Sequence, residues 1–187
     1  MEDLSLHILD IAENAVRADA TRIEIIATRA EDHDLLTIEI RDNGKGMDAD
    51  MLAKIRDPFY TTKQKKTGLG IPLLAQTAEL TGGYLTIQSQ PGVGTTVTAA
   101  FKWRHVDRPK FGDVASSVVT LIAGHGEEVD FLYEERTGRG LHRLDTAELK
   151  KELEDVPITD PVVLGAIRET LKTDFTLMNE GATHVVW

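Results

Sequence analysis

Cysteine is absent from this chain of 187 residues, so neither a disulfide nor a thiolate metal site is open to it. No apolar run approaches the ~18 residues that a membrane-spanning helix needs, which excludes one. The amino terminus, Met1-Glu2-Asp3-Leu4-Ser5, lacks the basic start of a secretory signal. A cytoplasmic protein with no membrane partner is therefore the expectation. Positive charge is in short supply: 21 Lys and Arg face 31 Asp and Glu, for a net charge of -10. That balance argues against broad contact with a phosphate backbone, so nucleic acid is not an expected partner. The six histidines show no metal-ligand spacing. Internal repeats and low-complexity tracts are missing as well. What remains is an apolar fraction of 41%, enough for a sizeable core, and a length that suits one or two small domains.

Four stretches carry the chemistry. Leu4, Ile8, Ile11, Ala12 and Ala15 recur at helical spacing, so residues 3–18 read as an amphipathic helix that carries Asp10, Asn14 and Arg17. The alternating strand Leu36-Thr37-Ile38-Glu39-Ile40-Arg41 then runs into Asp42-Asn43-Gly44-Lys45-Gly46-Met47. An acidic residue at a strand end, followed by Gly44 and Gly46, allows close backbone approach to a ligand and offers a carboxylate to an amine in a pocket. By itself such a run is also a common hairpin turn. Thr67-Gly68-Leu69-Gly70 opens a helix over residues 71–81, where free N–H groups and the helix N-terminus suit an anion. Pro72 fits the first turn of that helix, and Gly82-Gly83 ends it. Gly92-Val93-Gly94-Thr95-Thr96 joins strands at 84–90 and 95–103.

These four stretches, in this order, resemble the GHKL ATPases, the superfamily of gyrase, heat-shock chaperones, histidine kinases and mismatch-repair ATPases. The resemblance covers residues 1–103 and implies an α+β fold, a two-layer sandwich with a mixed sheet and helices on one face. It also implies ATP and Mg²⁺ as cofactors. Asn14 would give the metal an amide oxygen, and Arg17, one turn on, would reach a phosphate. Asp10 occupies the position where members that hydrolyse ATP or phosphorylate serine carry a glutamate as general base, but its side chain is shorter. Asp42 would accept the adenine amino group, and Thr95 would help to bind the base. Asp57-Pro58-Phe59-Tyr60-Thr61-Thr62-Lys63 resembles the phenylalanine box of histidine kinases, with Phe59 as an anchor and Lys63 on a phosphate. Residues 57–67 would then be a lid over the nucleotide.

A composition break at residues 104–112 divides the chain into an ATP-binding domain, 1–103, and a small α+β module, 104–187, in which no family is recognisable. Asp113 is placed to cap a helix ending near Gly124. Val129, Phe131 and Tyr133 alternate as a strand, and Asp145-Thr146-Ala147-Glu148 reads as a capping box. Asp160-Pro161 starts a last helix. The expected activity is transfer of the γ-phosphoryl group to a partner protein. The alternative is an ATP-gated binding module with little turnover. A protein partner, either a phosphoacceptor or a regulated factor, follows from both, and a homodimer is compatible with either.

Overall fold

The computed structural model describes residues 3–55 and 70–174. The chain opens with helix α1 (Leu4–Arg17), whose first turn is capped by the Asp3 carboxylate accepting from the Leu6 N–H. Its apolar stripe buries Leu4, Ile8, Ile11, Ala12 and Ala15, each large side chain adding about 1.5–3 kcal/mol of burial. Strands β1 (Arg22–Ala30) and β2 (Leu35–Asp42) follow, joined by one turn of 3-10 helix at residues 31–33. Asp34 leaves that turn in the left-handed region. Then come α2 (Ala49–Ile55), α3 (Gly70–Leu80), β3 (Tyr84–Gln90) and β4 (Gly94–Lys102).

Helix α4 (Val114–His125) comes next, followed by β5 (Asp130–Thr137), β6 (Gly140–Asp145), α5 (Thr146–Leu153) and α6 (Pro161–Asp174). The Asp113 carboxylate caps α4 as expected, accepting from the Ser116 N–H. The helix does not stop at Gly124 but runs one residue past it and is capped at Gly126. Gly124 faces open space, where a missing side chain costs propensity but forces no break. The capping box at 145–148 forms by half. Asp145 accepts from the Ala147 N–H, but the Glu148 carboxylate turns to Arg143.

The six strands of the described residues form one mixed sheet in the order β3-β4-β2-β1-β5-β6. Neighbours are antiparallel except β1 and β5, which run parallel with Ile23 opposite Phe131 and Ile25 opposite Tyr133. The expected boundary at 104–112 is the crossover from β4 to α4, and one sheet and one apolar core extend over both sides of it. Helix α1 lies across β1 and β2, α3 across β3 and β4, α4 beside α1, and α6 on α4. The sheet face beneath them carries Ile23, Ile25, Ile38, Ile40, Val97 and Phe101, all buried. The opposite face is polar. Across it Arg22 forks onto Asp145 through two bonds of 2.7 Å, and Arg143 also bonds Asp145 at 2.8 Å.

The crossover is fastened to the sheet end by Trp103. The Arg29 guanidinium lies over its ring at 5.0 Å and the Arg108 guanidinium at 4.2 Å, and such cation–π contacts stabilise a buried indole by roughly 0.5–2 kcal/mol each. Trp103 is thus a packing residue. Among the described residues no helix is long and apolar enough to cross a membrane.

Candidate nucleotide site

The alternation of β2 puts Leu36, Ile38 and Ile40 on the helix-covered face, and Asp42 continues that row to the strand end. There the Asp42 carboxylate is half-buried. Oδ1 accepts from the Gly44 N–H at 2.9 Å and from the Thr95 N–H at 3.3 Å. Burial pushes the carboxyl above its ordinary range, and these two amides hold it back in part. Thr95 stands directly opposite Asp42 across the β2–β4 ladder.

The loop after Asp42 is shaped by close backbone approaches. Gly46 has φ +66°, and a Cβ there would meet the Gln90 carbonyl oxygen at 2.0 Å. Gly94 has φ +132°, and its Cβ would fall 1.9 Å from the Asp42 carbonyl oxygen. Only glycine fits either place. Lys45 bridges two elements through its backbone, donating to Ala18 O at 2.8 Å and accepting from the Gly92 N–H at 2.7 Å. Ala18 caps the C-terminus of α1, so the Asp42 loop is tied to the end of that helix.

On α1, Asp10, Asn14 and Arg17 are spaced one turn apart and form an exposed stripe opposite the buried one. Arg17 Nη1 donates to Asn14 Oδ1 at 2.8 Å. Glu13 is turned aside toward α4, where its carboxylate meets His125 Nε2 at 3.1 Å. His7 is buried on the core side of α1. Gly70, the first residue of α3, abuts Asp10, because a Cβ at Gly70 would stand 3.0 Å from Asp10 Oδ2. The structure thus joins Asp42, Gly44 and Thr95 in one hydrogen-bonded cluster, links it to α1 through Ala18, and sets Gly70 against Asp10. Lys63, Gly68 and Leu69, with Phe59 and the expected lid, lie outside the described residues.

Two residues in this arrangement are not singled out by sequence. The Asn43 amide oxygen accepts from the Thr21 N–H at 2.9 Å and the Arg22 N–H at 2.8 Å, clamping the loop to the turn before β1. Thr21 O in turn accepts from the Asp130 N–H at the start of β5, at 2.9 Å. The second residue is Ser89 on β3. Its hydroxyl accepts from the Met47 N–H at 2.8 Å, and it lies 3.0 Å from Gly94 O and 2.9 Å from Thr95 Oγ1. A cross-strand polar pair, Ser89 opposite Thr95 on the core face, is the only trace it leaves in the register.

The site thus sets an aspartate held by two amides at a strand end beside a glycine-bounded loop tied to an Asn-bearing helix. Comparison with known proteins shows the family. The family described as Histidine kinase-, DNA gyrase B-, and HSP90-like ATPase matches residues 2–105, more than half of the chain. The chain belongs to this family. Its first part is accordingly an ATP-binding domain akin to the catalytic domains of histidine kinases. It is 36% identical over 91 residues to the sensor histidine kinase ZraS of Escherichia coli, covering 49% of this chain and 20% of that protein. It is 40% identical over 92 residues to the signal transduction histidine-protein kinase AtoS of the same organism, covering 49% of this chain and 15% of that protein. Sporulation kinase E of Bacillus subtilis is 35% identical over 88 residues, covering 46% of this chain and 12% of that protein. The chain thus spans a fifth or less of these relatives.

Among solved structures, the N-terminal domain of a DNA repair protein shares the fold with a TM-score of 0.55 and 17% identity, covering 78% of this chain and 52% of that one. That coverage exceeds what residues 2–105 can supply, so the shared fold includes part of the chain beyond the family match.

Proposed function

We propose that this protein binds Mg²⁺-ATP and transfers the γ-phosphoryl group to a partner protein. The Asp42 cluster carries the nucleotide reading. Both amides fall on Oδ1, and among the described residues that leaves Oδ2 to accept from an exocyclic amino group. Guanine presents a carbonyl at the corresponding position, and a carboxylate facing it would be buried unpaired at about 1–3 kcal/mol or more.

The donor set fits Mg²⁺. Asn14 Oδ1 is a hard oxygen on an exposed side chain, and a nucleotide-bound Mg²⁺ takes few protein ligands. Bound there with ATP, the ion would offset the charge on the phosphate oxygens. Arg17 now holds Asn14 Oδ1, so it must release that oxygen, and its guanidinium then becomes available to a phosphate. Asp10, one turn earlier on the same stripe, takes or orients the proton of the acceptor hydroxyl or imidazole.

The histidine kinases among the relatives support phosphoryl transfer. Incubating the protein with γ-labelled ATP and a lysate of its own host tests it. Label on a discrete protein, lost with Asn14→Ala, is the expected result. Calorimetry with ATP and GTP tests the pocket separately, and equal affinity for the two would sink the adenine reading.

A second reading, ATP-gated binding with little turnover, draws support from the path Asn43–Thr21–Asp130. It joins the base-binding loop to β5 through the Asn43 side-chain amide, which accepts from the Thr21 N–H, and a backbone hydrogen bond from Asp130 to Thr21. Under that reading a partner co-purifies only in the presence of ATP and no label is transferred.

A further inference from the structure

We infer that Ser89 is a positioning residue that fixes the polarity of the Thr95 hydroxyl and so sharpens selection of the base. The inference rests on the proposed reading of the Asp42 cluster as the adenine end of the pocket. It follows from counting protons. Among the described residues Ser89 Oγ has three hydrogen-bonding neighbours: the Met47 N–H at 2.8 Å, Gly94 O at 3.0 Å and Thr95 Oγ1 at 2.9 Å. The Met47 amide can only donate, and the Gly94 carbonyl can only accept. Ser89 has a single proton, and that proton goes to Gly94 O, since otherwise two oxygens would face each other with nothing between them. The contact with Thr95 must then be made with the proton of Thr95.

The Thr95 hydroxyl is thereby committed as a donor to Ser89 and offers only lone pairs toward the pocket. Asp42, opposite it on β2, also offers only lone pairs when ionised. Among the described residues, these two side chains at the recognition end therefore present acceptors alone. They suit a base edge, or an intervening water, that brings hydrogens. They oppose a 6-oxo group, which brings lone pairs of its own. Without Ser89 the Thr95 hydroxyl is free to rotate and donate to such a group, and the discrimination weakens. Ser89 is partly buried on β3 and touches no nucleotide itself in this scheme.

The test is the ratio of ITP to ATP dissociation constants, measured by calorimetry on the full chain. Inosine differs from adenine at the position in question by a carbonyl in place of the amino group. Wild type is expected to favour ATP. Ser89→Ala is expected to lower the ratio by roughly three- to tenfold, and Ser89→Thr, which keeps the hydroxyl, to restore it. In the Thr95→Val background, where no hydroxyl remains to be oriented, Ser89→Ala should leave the ratio unchanged. Ser89→Cys, a poorer acceptor of similar size, should give an intermediate ratio and serves if the alanine variant does not fold. Equal loss of ATP and ITP affinity in Ser89→Ala, with the ratio intact, would overturn the inference while leaving the adenine pocket standing. So would a Ser89→Ala effect on the ratio that persists in the Thr95→Val background. A wild-type protein that does not distinguish ATP from ITP would overturn the pocket reading and this inference together.

Discussion

Asp42 serves two demands of opposite sign. Burial raises its carboxyl above the ordinary range. In the nucleotide-free protein, the stability linked to a raised carboxyl is fully present below its unfolded value and is lost as pH rises through the folded value. ATP binding runs the other way, because an amino group needs the ionised acceptor. ATP affinity should therefore fall as pH drops through the raised value, earlier than an ordinary aspartate would allow. Calorimetric titrations from neutral pH downward check this, with Asp42→Asn weakened by roughly tenfold or more and nearly flat across the same range. Asp10 sets a second expectation. It sits at the base position with the shorter carboxyl, so hydrolysis by the isolated chain should be slow. A positioned general base contributes about 10²–10⁴-fold, and Asp10→Glu should recover part of that. An increase of roughly tenfold in phosphate release would fit a base held one methylene too far from its proton. No change, or weaker binding, would mean that Asp10 works instead through its contact with Gly70.

The elements are where sequence and structure can be compared most closely. Helix α1 and strands β1 to β4 are legible because each carries a local signal. The stripe of α1 has a helical period, β2 alternates, and the 91–94 turn has the glycines that a tight reversal needs. Their assembly into a site is legible only through the resemblance, since nothing local says that Asp42 will face Thr95. The later elements show the limit. Alternation announces β5, but besides the adjoining β6 it pairs with β1, far back in the chain, and a parallel pairing leaves no turn sequence to read. Glu134 and Glu135 are both buried within β5, which composition alone would have placed in water. Ser89 and Asn43 escape notice for a similar reason, because their importance lies in the backbone groups they reach. The close approach at Gly94 gives the prediction for this scale. Gly94→Ala puts a methyl 1.9 Å from the Asp42 carbonyl oxygen, so the hairpin must move. A loss of about 2–4 kcal/mol in denaturant unfolding is expected, together with a loss of ATP affinity that exceeds the loss of stability. Intact affinity would mean that the Asp42 loop is set by Asn43 and not by the β4 turn.

For the whole molecule, the parallel ladder of β1 and β5 decides what counts as a foldable unit. Cutting the chain after Trp103 would keep the whole family match bar its last residues, but it would strip β1 of a neighbour and uncover the side of α1 that α4 packs against. Such a fragment should associate or melt well below the full chain, as size-exclusion chromatography and thermal melts would show. A monomer of unchanged Tm would mean that the later strands are an addition to the core and not a part of it. The same ladder bears on how the protein is made. A ribosome releases Asp10, Asn14, Asp42 and Thr95 well before it releases β5, so the residues that would hold ATP emerge while β1 is still a bare edge. For that interval the nascent chain has a nucleotide site in prospect and an unpaired strand exposed, with the acidic charge of the molecule as its protection against neighbours on the same message.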